Sequence, residues 1–159
     1  MMAVSTGTYV PSTKQRVRRN TDASINRRID DQLENAIRYY SVHLEDIDSR
    51  LKELDEEWDV ERMIEANAST LALAGTVLGI TVDKRFLALP MIVTAFLLQH
   101  AIQGWCPPIP ILRRLGFRTA DEINRERYAL KSLRGDFASV GDGTTLDTIA
   151  GSALKAVLR

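Results

Sequence analysis

Two stretches of this chain carry no charged side chain. Residues 66–82 read "ANASTLALAGTVLGITV", and after the interruption Asp83-Lys84-Arg85 a second charge-free run extends over residues 86–112, "FLALPMIVTAFLLQHAIQGWCPPIPIL". At about 1.5 Å rise per residue, a helix of seventeen to twenty residues reaches about 25 to 30 Å, the thickness of a bilayer's hydrocarbon core. The second run is the stronger candidate for such a helix. Leu, Ile, Val and Phe dominate it as far as Gln103, and Pro90 falls in the early turns, where a proline does least harm. The first run is rich in Ala, Gly, Ser and Thr, which contribute little to insertion, so it is expected to insert together with its neighbour. The expectation is a transmembrane hairpin with spans at about 63–82 and 86–104. The alternative is a helical hairpin buried in a soluble core, but a chain of 159 residues has little else with which to cover two helices apolar all round.

Within the first span, Ala68, Ala72, Gly75 and Gly79 follow four-three-four spacing and share one helix face. Small residues let helix backbones approach closely where lipid supplies no hydrophobic drive, so this stripe is the expected helix-packing interface, either with the second span or with another subunit. Orientation follows from the basic residues. The connecting loop holds only Lys84 and Arg85, whereas Arg50, Lys52 and Arg62 precede the hairpin and Arg113, Arg114, Arg118, Arg125 and Arg127 follow it. The positive-inside rule therefore places both termini in the cytoplasm.

The second span leads into "QGWCPPIPILRRLGF". Gly104 is placed to stop a helix and Trp105 suits the headgroup interface. Pro107, Pro108 and Pro110 are expected to forbid further helix and extend the chain, and Arg113 and Arg114 to offer charge to anionic lipid. Gly104, Trp105, Cys106, Pro107, Pro108, Arg113 and Arg114 thus form an interfacial exit from the bilayer. Gln99, His100 and Gln103 sit near that end of the span, where water or headgroups are expected to satisfy them.

Upstream, the apolar positions Ile25, Ile29, Leu33, Ile37, Tyr40, Leu44, Ile47, Leu51, Leu54 and Trp58 alternate steps of three and four from Ile37 onward, a heptad pattern over three repeats. A long amphipathic helix over residues 21–61 is expected, capped by Asn20 or Thr21. Its narrow seam suits a coiled coil or a docking helix for a cytoplasmic protein; the alternative is a helix folded back on its own chain. Residues 1–20 have no acidic side chain and no apolar core of the kind a secretory signal needs, and read as a flexible basic tail. Downstream, Thr119 and Glu122 form a capping box that opens a charged, solvated helix to about Leu133. Residues 135–145 read as a glycine-bearing linker, and Leu146, Ile149, Ala153, Leu154 and Val157 mark a short amphipathic tail helix.

Little in the chain points to catalysis. Lysine plus arginine total 21, matched by 21 aspartates and glutamates, so no net field favours nucleic acid. The sequence holds no phosphate loop, catalytic triad or nucleic-acid motif, and no cofactor is implied. The acidic run at residues 45–61 lacks the glycine turn of a calcium loop. Cys106, the sole cysteine, is the one nucleophile of note. Arg113 and Arg114 nearby in sequence could lower its pKa and suit it to a redox or sulfur-relay role. Against that, it has no resolving cysteine, and with His100 it supplies at most two metal ligands.

The hairpin ending in Gly104, Trp105, Cys106 and Pro107, with Leu115-Gly116 and Thr119 further on, resembles the YgaP-like inner-membrane transmembrane domain family of bacteria. The resemblance covers residues 61–123. It implies an inner-membrane hairpin of the kind that anchors and dimerises a rhodanese-type sulfurtransferase, although this chain has no rhodanese-like active-site loop. The resulting expectation is an all-α chain: a two-helix transmembrane hairpin, preceded by a long coiled-coil-like helix and followed by short cytoplasmic helices. Its role would be that of a non-enzymatic, homo-oligomeric interaction module in the bilayer, with a Cys106 sulfur relay as the alternative.

Overall fold

The computed structural model describes residues 12, 14–140 and 146–158, and for 146, 147 and 158 the backbone alone. Those residues form helices and turns only: α1 (Arg16–Arg19), α2 (Ala23–Tyr40), α3 (Ile47–Glu56), α4 (Val60–Thr81), α5 (Ala88–Gln103), α6 (Ile109–Arg114), α7 (Ala120–Arg134) and α8 (Leu146–Leu158). Two of these, α4 and α5, are long and apolar enough to cross a membrane, α5 together with the 3-10 turn Lys84–Leu87 that leads into it. The chain divides into two compact units.

The hairpin unit comprises the described residues up to Arg27 together with Trp58–Thr119. Asp59 opens α4 by accepting a hydrogen bond from the Arg62 backbone N–H at 2.7 Å. Beyond Thr81 the chain turns through Asp83, whose carboxylate accepts from the Arg85 N–H and starts the 3-10 turn before α5. The end of the hairpin away from this turn is closed by a small core of Val17, Val60, Ile64, Cys106, Ile109 and Leu112.

The second unit comprises Arg28–Glu57 and the described residues from Ala120 onward. Its core joins Ile47, Leu51 and Leu54 of α3 to Ile123 and Leu130 of α7. Around it, Arg50 donates to the buried carboxylate of Glu126 at 2.8 Å, and Arg127 donates to the Leu54 carbonyl at 2.9 Å. A charge held at a buried carboxylate by a bidentate guanidinium fixes the register of the two helices as well as joining them. Lys131 reaches α8 by donating to the Val157 carbonyl at 2.8 Å, and Ala156 is buried.

Several expectations change. The single helix over 21–61 is interrupted. After Tyr40 the chain turns through Ser41, Val42 and His43, makes a 3-10 turn over Leu44–Asp46, and restarts at Ile47. Ser41 Oγ donates to the Arg38 carbonyl, and His43, stacked on Tyr39, binds the Tyr39 carbonyl through Nδ1. These side chains take the carbonyls that the next helical turn would need. The heptad seam is therefore not a continuous coiled-coil face; its central part, Ile47, Leu51 and Leu54, is buried against α7, as in the fold-back alternative. The N-cap is Asp22, which accepts from the Ser24 N–H at 2.7 Å, rather than Asn20 or Thr21. The expected tail at 1–20 lies outside the described residues at 1–11 and 13, but Arg16–Arg19 is helical and Val17 is in the core. The α7 helix is not simply solvated, since Glu122, Ile123, Glu126, Leu130 and Lys131 are buried.

Candidate functional site

The hairpin begins with glycines that have no room for a side chain. A Cβ on Gly75 would lie 2.7 Å from Cδ of Pro90, and one on Gly79 would lie 2.5 Å from a Leu87 methyl. The stripe of Ala68, Ala72, Gly75 and Gly79 thus faces α5 within the same chain: Ala68 and Ala72 share a groove with Val93 and Leu97. The close approach expected of the stripe is present, and its partner is the second span.

Outside that seam the hairpin is apolar and uncovered. Leu73, Ile80, Met91, Ile92, Leu98 and Ile102 are all at least half exposed. Only 17% and 6% of the most apolar windows of the two spans are buried, the reverse of what core helices of a soluble domain show. The hydroxyls on these helices are satisfied by their own backbone. Ser69 and Thr70, Thr76 and Thr81 of α4, and Thr94 of α5, each donate the hydroxyl to the carbonyl four residues back, at 2.7–2.8 Å. Asn67 does the same through Nδ2. In hydrocarbon, where no water is present to accept these donors, that back-bonding is the available solution.

At its other end the hairpin has a polar root. Gly104 stops α5 in the left-handed conformation, with φ 75°, and a Cβ there would strike the backbone of Arg16. This close approach lets α1 cap the end of α5: Arg16 donates to the Ala101 carbonyl at 3.3 Å and Asn20 to the Gln103 carbonyl at 3.1 Å. A cation at a helix C-terminus also complements the helix dipole. Arg16 faces Glu61 at 3.7 Å. His100 is buried in this root, and among the described residues neither of its ring nitrogens has a hydrogen-bond partner.

The exit motif folds differently from the expected extended segment. Pro108 precedes α6 and Pro110 lies in its first turn, where a missing N–H leaves nothing unsatisfied, so the prolines open a helix. Arg113 does not reach out to headgroups. It is fully buried and donates to Thr21 Oγ1 at 3.2 Å, Asn26 Oδ1 at 3.1 Å and the Phe117 carbonyl at 3.0 Å. It ties α6 to Thr21 ahead of α2 and to Asn26 in the first turns of α2, whereas Arg114 is exposed. Trp105 is exposed and meets Phe96 edge-on.

Cys106 is buried at 5% exposure and lines a cleft of about 220 Å³ with Ile64, Ala68, Phe96 and Pro107. Burial pushes its thiol up, and the hydrogen bonds of Arg113 go elsewhere, so the environment expected to activate a thiolate is not formed. Among the described residues no three His, Cys, Asp or Glu side chains gather to hold a metal ion.

The sequence reading missed the cap supplied by Arg16 and Asn20, which only the approach to Gly104 brings about. It also missed a rim of Trp58, Arg62 and Glu65 beside the hairpin groove. Trp58, the last position of the heptad spacing, follows the end of α3, and the Arg62 guanidinium lies 4.2 Å from its ring centre.

Gly79→Leu is expected to overpack the seam against Leu87 and destabilise the hairpin by about 1–3 kcal/mol. Thermal unfolding in detergent reads the loss, while light scattering is expected to give the same oligomer order as wild type. A lowered oligomer order with unchanged stability would place the stripe between subunits. Since the thiolate is the reactive form, Cys106 is expected to react with a neutral maleimide about tenfold or more slowly at pH 7 than a cysteine placed at exposed Ala138. Its rate should keep rising at alkaline pH past the point where the exposed cysteine levels off. Equal rates at neutral pH would restore the activated thiol. No family model, curated protein or solved structure matches this chain.

Proposed function

We propose that the chain is a two-pass inner-membrane protein whose hairpin, α4 and α5, anchors a helical interaction module, with no enzymatic activity of its own. The observation that carries this reading is a hairpin that is uncovered and apolar while each of its hydroxyls bonds its own helix backbone. The basic residues set the orientation. Arg16, Arg18 and Arg19 of α1, Arg62 in the first turn of α4 and Arg113 and Arg114 of α6 gather at the root, against Lys84 and Arg85 at the loop, so the root and both termini face the cytoplasm.

With the glycine stripe facing α5, the interaction role falls to the segment joining α2 and α3, where Tyr39, Val42 and Leu44 are exposed. A second copy of the chain or a cytoplasmic protein would dock there. An anchor of this kind is also what the resemblance of the exit motif to the YgaP-like family implies. The sulfur-relay alternative draws no support from a buried thiol whose pKa is raised.

The test is made in bacterial membranes with Lys84→Cys or Ser41→Cys in a Cys106→Ser background, labelled by a membrane-impermeant maleimide. The expected result is retention in the carbonate-washed pellet, labelling of position 84 in intact spheroplasts, and labelling of position 41 only after lysis. Release into the carbonate supernatant would make the hairpin a soluble core; the opposite labelling pattern would invert the topology.

A further inference from the structure

Beside the α4–α5 seam runs a groove of about 520 Å³ whose floor is Ala68 and Ala72 and whose wall is Val93 and Leu97. Its hydroxyls, on Ser69 and Thr94, point to their own backbones, so an occupant meets hydrocarbon along its length. The rim at the root end is different. It carries one cation, Arg62, and one anion, Glu65, three residues apart on the same turn of α4. Among the described residues neither side chain makes an ion pair or a side-chain hydrogen bond, with the other or with a third group. Arg62 covers the Trp58 ring at 4.2 Å, which orients the guanidinium and closes that aromatic face to any other cation.

We propose that this groove binds a zwitterionic aminophospholipid, with its phosphodiester on Arg62, its primary ammonium on Glu65 and an acyl chain along Ala68, Ala72, Val93 and Leu97. The charges select this occupant. A guanidinium alone would favour an anionic lipid, but Glu65 beside it, with Asp59 one turn earlier at the helix N-cap, repels a headgroup of net negative charge. A choline headgroup has no N–H to donate to Glu65, and Arg62 already occupies one face of the Trp58 ring. A phosphate joined to a primary ammonium satisfies both rim groups at once.

The site rests on the membrane reading above, and its test separates the two. The full chain, purified in mild detergent, is mixed with equal amounts of phosphatidylethanolamine, phosphatidylglycerol and phosphatidylcholine, and retained lipid is read by native mass spectrometry. The expected result is preferential retention of phosphatidylethanolamine. Arg62→Gln lowers that retention about fivefold. Glu65→Gln lowers it while leaving phosphatidylglycerol equal or increased. Both residues are exposed, and unchanged helical circular dichroism confirms that the variants fold. Equal retention of all three lipids, indifferent to both substitutions, would mean annular lipid only and overturn the site. A preference for phosphatidylglycerol that Glu65→Gln leaves untouched would overturn it in favour of an anionic-lipid contact. Carbonate extraction is run on the membranes from which each protein is purified. Retained protein without lipid selectivity sinks the lipid site alone; release of the wild-type protein sinks the membrane reading and the site together.

Discussion

The contact of Gly75 and Gly79 on one helix with Leu87 of the 3-10 turn and Leu89 and Pro90 of α5 determines how this chain deals with its most awkward property, two largely apolar helices. Hydrocarbon offers no hydrophobic drive to pair such helices, and close backbone approach with dispersion contact has to do so. Two missing Cβ atoms permit that approach near the loop. Further along, Ala68 and Ala72 face Val93 and Leu97 across a groove. The hydroxyls on these helices follow the same rule, each donating a hydrogen bond to its own backbone.

The root of the hairpin meets the opposite requirement. The last carbonyls of α5 have no helical partners, and leaving them bare near a low-dielectric boundary is costly. The basic segment Arg16–Arg19 with Asn20 supplies donors to Ala101 and Gln103, admitted by the glycine at 104. Arg113 then holds the following helix to Thr21 and Asn26. What reads in sequence as a tail and an exit is therefore one packed junction. Val17, Cys106, Ile109 and Leu112 share its core, and Cys106 there fills space.

The legible parts of the fold were those that composition and period alone determine. The absence of charge over residues 66–82 and 86–112 locates the two apolar helices, although α4 starts six residues before the first run and the second extends nine residues past α5, and the start of α7 after Thr119 follows from local signals. The break at Ser41–His43 was hidden because the heptad spacing continues through it: Leu44 keeps the pattern although it is exposed, and the interruption comes from side-chain bonds to Arg38 and Tyr39. Arg113 was misread because its acceptors, Thr21 and Asn26, lie about ninety residues away in sequence. The rim of Arg62 and Glu65 carries no motif; it becomes visible only when α4 and α5 are laid side by side.

The central claim is that lipid, and not protein, covers the outer faces of α4 and α5. The most direct measurement is a spin-label accessibility scan in liposomes, with single labels at Leu73, Ile80, Met91, Leu98 and Ile102, which point outward around the hairpin. The account predicts that all five labels are relaxed by oxygen dissolved in the bilayer and shielded from a water-soluble nickel chelate, with shielding deepest at the centre of each span. Strong relaxation by the chelate at these positions would contradict it, as would shielding from both reagents, which would mean that another protein surface covers the hairpin.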